Sequence, residues 1–283
     1  MLEINHLNKQ QFKDLLALQA AIKKKYHYTA PIYTHIIRKE RPYDCNILLY
    51  HGKELIAFAS RFLFHEGQVE LALIMHPQHK SDFMAKKLLQ SLIKYIPPNY
   101  KKTIVISTPH NQRPDIKPDA NWEYLYSSHR LHWLSVTPKP EPIADLAITK
   151  ATSEHFNIFK NIIRTCFPRS TELTADIYQL LMENTQVQIY LLKKQDEFVG
   201  AIQINHENKS FRISDVAILP EHREQGYAKY MLTSTLHNLQ AKQQKILLDV
   251  ESSNIFVREW YQRLGMVETN ISDFWQIPFQ NIF

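Results

Sequence analysis

The chain repeats itself. Leu2-Glu-Ile4 followed by a polar run to Phe12 returns as Leu146-Ala-Ile148 followed by a polar run to Phe156, a shift of 144 residues (Leu2 to Leu146). Further on the shift settles at 143: Glu54-Leu-Ile-Ala57 against Glu197-Phe-Val-Gly200, Pro77 against Pro220, Lys80 against Arg223, Ala85 against Ala228 and Asn111 against Asn254. An offset held over dozens of residues marks the duplication of a whole domain rather than a short solenoid repeat. The length of 283 residues agrees, because about 150 residues per domain gives a prior of two.

The stretch Thr137-Pro-Lys-Pro-Glu-Pro-Ile-Ala-Asp145 sets three prolines at alternate positions, which holds the backbone extended and removes donors that a helix or a sheet ladder needs. It reads as a linker over 137–145, leaving a first domain at 1–136 and a second at 146–283. Apolar periodicity predicts the same order of elements in each. A short strand (2–4; 146–148) leads to a helix (9–25; 153–166), with Phe12, Leu15, Leu16 and Leu18 at helical spacing. Strands follow at 46–50, 55–64 and 68–75, mirrored at 187–193, 198–205 and 211–219, with turn residues between the first two of each set. A long helix (83–95; 227–243), a buried strand (103–107; 246–251) and terminal strands near 132–136 and 274–277 complete each half. The expected fold class is α/β, a mixed sheet with helices, built twice in tandem.

Hydrophobic residues at 44% and charged residues at 22% allow a sizeable core and argue against wholesale disorder. The opening residues lack the basic flank and apolar run of a secretory signal, and no apolar stretch approaches the roughly 20 residues of a membrane span. No membrane is expected, and the cytoplasm is the default compartment. Cys45 and Cys166 stand far apart without metal-type neighbours, and the histidines form no His-x-x-x-His or Glu-x-x-His cluster on a convincing helix, so no metal is expected. The net charge of +6 comes from scattered lysines and arginines; the longest basic run, Lys23-Lys24-Lys25, sits in an amphipathic first helix. It reads as a solvated face rather than a nucleic-acid stripe.

Chemistry concentrates in Val216-Ala-Ile-Leu-Pro-Glu-His-Arg-Glu-Gln-Gly-Tyr-Ala-Lys-Tyr-Met-Leu232. This segment passes from a β-rich run through Arg223-Glu-Gln-Gly226-Tyr-Ala228 directly into an amphipathic helix. A strand, a glycine turn and a helix N-terminus together present unpaired backbone N–H groups and the positive end of the helix dipole, a natural seat for a pyrophosphate. Gly226 lets the backbone approach the phosphate and Ala228 keeps that approach narrow. Read without context, the same residues also make an ordinary strand-to-helix turn.

The context is a resemblance. The segment resembles the acetyl-CoA signature of the GNAT superfamily of N-acetyltransferases, Arg/Gln-x-x-Gly-x-Gly/Ala, with Arg223, Gly226 and Ala228 at the matching places and Pro220 in the turn before them. Downstream, Leu247-Leu-Asp-Val-Glu-Ser-Ser-Asn254, then Tyr261, then Leu264-Gly265-Met266 are similar to the family's second half, in which a strand ends at an asparagine and a tyrosine follows seven residues later. The resemblance covers nearly all of the second half and implies two tandem GNAT-like acyl-CoA N-acyltransferase domains. It implies acetyl-CoA as co-substrate. The main chain of Ala217 and Ile218 would pair with the pantetheine arm, the loop of Arg223, Glu224, Gln225, Gly226, Tyr227, Ala228 and Lys229 would hold the pyrophosphate, and Asn254 would contact the arm.

In the reaction so implied, a neutral primary amine, on a small molecule or a protein, attacks the thioester directly in a ternary complex, and the departing thiolate takes a proton. Tyr261 matches the family's usual general acid; the bland reading is a core tyrosine of the last helix. Many members carry the base at places held here by Arg212 and Ser214, neither of which serves directly. The ribosomal-protein N-terminal acetyltransferases within the family instead use a glutamate on the following strand, twelve residues before the tyrosine, and the resemblance puts Asp249 at that place; Asp215 on the earlier strand is the other candidate. Either is equally a structural hydrogen-bond acceptor at the sheet split. That gap keeps a second reading open: a catalytically weak CoA-binding sensor or scaffold. Neither reading fixes the amine acceptor or chooses between monomer and homodimer.

In the first half the same shift aligns Lys80-Ser-Asp-Phe83-Met-Ala85 with the phosphate loop. Phe83 replaces the glycine, and a side chain there would block close backbone approach. Asn111 survives, but Pro118 stands where Tyr261 is expected. The first half is therefore expected to be a degenerate copy.

Overall fold

The computed structural model describes residues 1–283 except 42, 66, 95, 115, 117–119, 135–137, 168–185, 208 and 283. Pro118, Tyr95 and Thr137, on which three of the expectations above touch, lie outside the described residues. The chain runs β1 (Leu2–Ile4), α1 (Lys9–Tyr26), α2 (Thr34–Ile37), β2 (Asn46–His51), β3 (Glu54–His65), β4 (Gln68–Met75), α3 (Asp82–Ile93), β5 (Thr103–Pro109), β6 (Glu123–Trp133), β7 (Leu146–Lys150), α4 (Phe156–Cys166), β8 (Val187–Lys194), β9 (Glu197–Glu207), β10 (Ser210–Ile218), α5 (Tyr227–Gln240), β11 (Lys245–Glu251), α6 (Ile255–Arg263) and β12 (Met266–Pro278). It divides into two compact units that interleave along the sequence. Unit 1 comprises Met1–Arg130, Val250–Arg258 and Glu268–Phe283, and unit 2 comprises Leu131–Asp249 and Glu259–Val267.

Unit 1 holds the sheet order β1-β2-β3-β4-β5-β12-β6. The ladders β1–β2, β2–β3, β3–β4 and β5–β12 are antiparallel, whereas β4 and β5 pair in parallel from Gln68–Thr103 to Ala72–Ser107. Alternation along the strands sends Ala57, Ala59, Leu71 and Ile106 to one face, under Ala85, Leu88, Leu89 and Leu92 of α3. It sends Leu48, Phe58, Ala72 and Ile74 to the other, under Leu15, Leu18 and Ile22 of α1. Each of these leucines contributes about 1.5–3 kcal/mol by leaving water. The α1 start is closed by a capping box, Asn8 Oδ1 accepting from the Gln11 N–H and Gln11 Oε1 from the Asn8 N–H, both at 2.9 Å.

The described part of the terminal strand expected near 132–136 belongs to β6, Glu123–Trp133, which begins well before it; residues 135 and 136 lie outside the described residues. Its inward positions are Ser127, His129, Leu131 and Trp133, so two polar residues break the apolar alternation that a sequence reading relies on. Their burial is satisfied from far along the chain. Asp273 of β12 accepts from Ser127 Oγ (2.6 Å) and the Asn111 N–H (2.8 Å), with His110 Nδ1 at 2.8 Å, while His129 Nδ1 lies 2.6 Å from Glu268 Oε2.

Unit 2 holds β7-β8-β9-β10-β11. All its ladders are antiparallel except β10 with β11, which pair in parallel from Ser210–Lys245 to Ile213–Leu248. Phe159, Ile162 and Ile163 of α4 pack on Ile189, Leu191, Ala201 and Ala217. The inner stripe of α5 is Tyr227, Met231, Leu232, Leu236 and Leu239, at the helical spacing read from the sequence.

Candidate functional site

Two irregularities at the end of β10 build the site. The pairing with β11 covers Ser210 to Ile213, and β10 then runs on to Ile218. Within that extension the strand bulges: between the pairs Ser214–Gln203 and Ala217–Ala201 there are three steps along β10 against two along β9. Asp215 sits in the bulge at φ 51, the left-handed region that aspartate tolerates better than most residues.

The strand end beyond the bulge is pinned. The Ile218 carbonyl accepts from Arg223 Nε (3.0 Å) and Cys166 Sγ (3.3 Å), and the Leu219 N–H donates to Val199 O (2.9 Å). Gly200 on β9 lets this approach happen, since a Cβ there would stand 2.5 Å from Ile218 Cδ1 and 2.7 Å from Ala217 O.

From this anchor the chain makes one 3-10 turn, Pro220–His222, and enters α5 through Arg223, Glu224 (φ 62), Gln225 and Gly226 (φ 80). Gly226 is the N-cap residue. It supplies no side-chain hydrogen bond, and the first turn of α5 carries no acidic residue. The first backbone N–H groups of a helix have no intrahelical partner, so here they are left for an external acceptor, with the helix dipole behind them. A Cβ built at Gly226 would meet nothing within 4 Å; the space over the turn is open, and its positive φ is what glycine provides. Glu224, Gln225 and Lys229 are exposed, Tyr227 is buried and Ala228 is half-buried. Such a cradle fits the pyrophosphate of a CoA thioester.

Tyr261 lies on α6, 7% exposed and tilted against Trp260 with ring centroids 5.0 Å apart. Burial pushes its phenol up to about 12, so the ring stays protonated at neutral pH. Its hydroxyl has no hydrogen-bond partner among the described residues. Asp249 is an ion-pair member. Arg212 Nη1 bonds its carboxylate, while Arg212 Nε donates to Glu207 Oε1 at 2.6 Å. Asp215 differs: burial pushes its carboxyl up to about 6, opposed by a hydrogen bond with Ser214. Asn254 falls in unit 1, where it is exposed and its carbonyl opens α6 by accepting from the Arg258 N–H (3.0 Å).

A line of polar side chains escaped the sequence reading. Gln203 Nε2 donates to Asn205 Oδ1 (3.1 Å) and Asn205 Nδ2 to Ser214 Oγ (3.2 Å). Alternate polar residues in a strand read as a solvated face, and nothing local announces that Gln203 is buried.

The sequence profile of the Acetyltransferase (GNAT) family matches residues 156–266, from the first residue of α4 to the first of β12. The chain carries a GNAT acetyltransferase domain. Among solved structures, a GCN5-related N-acetyltransferase from Sphaerobacter thermophilus superposes with a TM-score of 0.76 at 12% identity, covering 94% of this chain and 92% of that one. A tandem GNAT protein from the clavulanic acid biosynthesis pathway gives 0.65 at 10% identity, covering 94% of both chains. An acetyltransferase of the GNAT family from Colwellia psychrerythraea gives 0.56 at 14% identity, covering 98% of this chain and all of that one (100%). A comparison with curated proteins finds no match. At these identities the structural likeness is one of fold, and it agrees with a tandem GNAT architecture. The match supports an acyltransferase domain over the residues it covers, 156–266. No helix among the described residues is long and apolar enough to cross a membrane.

Proposed function

We propose that the second half, 146–283, moves an acetyl group from acetyl-CoA to a primary amine of a small molecule or a protein, by direct attack in a ternary complex. The observation that carries this reading is the uncapped N-terminus of α5, open above Gly226 and following the bulged end of β10, which has left β11 and pairs with β9 alone. The loop from Arg223 to Lys229 holds the pyrophosphate through backbone N–H groups, and the main chain at Ala217 and Ile218, on the edge that β11 no longer covers, holds the pantetheine arm. Asn254 is assigned to the arm on the family pattern alone.

The amine nitrogen attacks the acetyl carbonyl carbon, the C–S bond breaks, and the products are an amide and CoA thiol. Asp215 takes the proton that the amine loses. Of the two carboxylates it is the better base, because burial raises its proton affinity towards the operating pH, whereas Asp249 is committed to Arg212. Tyr261 gives its proton to the thiolate. A phenol pushed to about 12 is a weak acid in water, but the thiolate leaves into the same poorly solvated surroundings, which raise its own proton affinity.

Following thiol release from acetyl-CoA by the full chain against a panel of primary amines tests the reading. Amine-dependent release supports it. Binding of CoA without release for any amine would leave the sensor or scaffold reading instead.

A further inference from the structure

The sheet face of unit 2 that lies under α4 changes character along β9 and β10. At one end Ala201 and Ala217 form a rung that packs beneath Phe159, Ile162 and Ile163. The next two rungs on that face, Gln203–Ser214 and Asn205–Arg212, are polar. Gln203 Nε2 donates to Asn205 Oδ1 (3.1 Å) and Asn205 Nδ2 to Ser214 Oγ (3.2 Å). Beside them runs a charged line, in which Arg212 Nε donates to Glu207 Oε1 (2.6 Å) and Arg212 Nη1 binds the Asp249 carboxylate. Ser214 is the last β10 residue paired before the bulge that holds Asp215, so this polar floor ends one residue from the carboxylate assigned above as the base.

The equivalent rungs of unit 1 are filled with core. Ser60–Ala72 and Phe62–Glu70 continue its ladder, Phe62 stacks on Phe64 with ring centroids 5.5 Å apart, and Tyr33 stands edge-on to both. Tyr33 also donates to Glu70 at 2.7 Å, so that buried carboxyl finds its donor inside the unit. Gln203 Oε1 of unit 2 does not. Gln203 is only 6% exposed, and this oxygen has no hydrogen-bond partner. Its own Nε2 is tied to Asn205, which fixes the plane of the amide and with it the direction of the oxygen. A buried acceptor left without a donor is costly, and native chains keep few of them without a use.

We propose that Gln203 Oε1 receives an N–H or O–H of the acceptor, so that the preferred acceptor is a primary amine with a second hydrogen-bond donor and no carboxylate. The inference rests on the transfer reading given above and names the acceptor class for that site. Geometry supplies the donor half, because the unmatched oxygen stands on the row where β10 leaves β11 and bulges. Charge supplies the other half. Glu207 and Asp249 share the Arg212 guanidinium, so the three together carry a net negative charge and disfavour an anionic acceptor.

The test is calorimetry on the full chain saturated with CoA, titrated with primary amines of one chain length that end in a hydroxyl, a second amine, a methyl group or a carboxylate. The hydroxyl- and amine-ended members should bind about 10-fold or more tighter than the methyl-ended one, because an analogue without a donor leaves the buried oxygen unpaired. The carboxylate-ended member should bind weakest. Gln203→Met, which nearly keeps the volume and removes the acceptor, should shrink the preference to within about 2-fold, and Gln203→Glu, which keeps an acceptor in place, should retain it. Titration with CoA checks that unit 2 is intact in each variant. No binding by any of the four amines, equal binding of all, or a preference that survives Gln203→Met overturns the proposal. Thiol release from acetyl-CoA with the same amines keeps the two claims apart. Binding in the expected order with no release would leave this subsite standing and remove the transfer reading; release without preference for the chain end would do the reverse.

Discussion

The helix after the parallel strand starts differently in the two halves. In unit 1 α3 begins at Asp82, its N-cap Ser81 accepts from the Met84 N–H at 3.3 Å, and Asp82 places a negative charge in the first turn. In unit 2 α5 begins at Tyr227, the counterpart of Met84, behind a glycine that caps nothing. The first helix satisfies its own N-terminus and repels anions; the second leaves the same groups for a ligand. Phe83, expected to obstruct a phosphate loop, instead lies in the first turn of α3 and is 78% exposed. The helix of that copy starts two residues earlier than its counterpart, with a side-chain cap where the other has a glycine.

The strands ahead of these helices diverge in the same sense. Phe58 pairs with Ile74, and their counterparts Ala201 and Ala217 pair likewise. One step further on, the unit 1 ladder continues regularly through Ser60–Ala72 and Phe62–Glu70, whereas unit 2 bulges at Asp215. A bulge frees backbone groups and re-aims a side chain, so the copy with the open helix also has a strand end that β11 no longer covers and Asp215 in the bulge.

The largest test of this asymmetry is Tyr261→Phe, expected to lower kcat by about 10²- to 10⁴-fold with little change in CoA affinity. An unchanged rate would reduce Tyr261 to packing. Next, calorimetry with CoA should give one site per chain, and Gly226→Val should weaken it by about 100-fold or more, because valine resists φ 80 and its branches fill the cradle. A second equivalent site would dissolve the contrast between α3 and α5.

Two buried carboxyls sharpen the comparison by stability. Glu70 of unit 1 is pushed up to about 7 by burial, although Tyr33 donates to it at 2.7 Å, and Asp215 is pushed up to about 6. A folded pKa above the free value means that stability is full below the free pKa and falls as pH rises through the folded one. Glu70→Gln and Asp215→Asn should therefore raise Tm at pH 8.5 relative to pH 4, by about 3 °C or more each. Of the two, only Asp215→Asn should also cost activity. The smallest effect is Ser81→Ala, about 1 kcal/mol of unfolding free energy by denaturant titration with no change in CoA binding. A gain of CoA binding in that variant would show that the cap alone silences the first copy.

Much was legible in the chain itself. The offset between Glu54 and Glu197, the alternation in β3, β4 and β9, the stripe of α5 and the glycine before it are local or periodic, and they predicted the order of elements and the glycine turn into α5. The outer strands were read poorly. The strand expected near 274–277 runs from Met266 to Pro278, with Asn270, Ser272 and Asp273 buried, and polar residues at inward positions carry no apolar signal.

What the sequence determined by itself is therefore what depends on near neighbours: that there are two copies, that each is a mixed α/β sheet, and that one enters its helix through a glycine turn. Tertiary structure decided the rest, because a buried polar group is tolerable only when a distant partner meets it. Asp273 lies in unit 1 beside Ser127 and His110, which are remote in sequence, and β12 forms its ladder with β5. Asp215 sits in a bulge because the pairing of Ser214 with Gln203 and of Ala217 with Ala201 leaves one residue too many on β10. No period along the chain encodes either requirement, since each is a hydrogen-bond balance struck across the sheet.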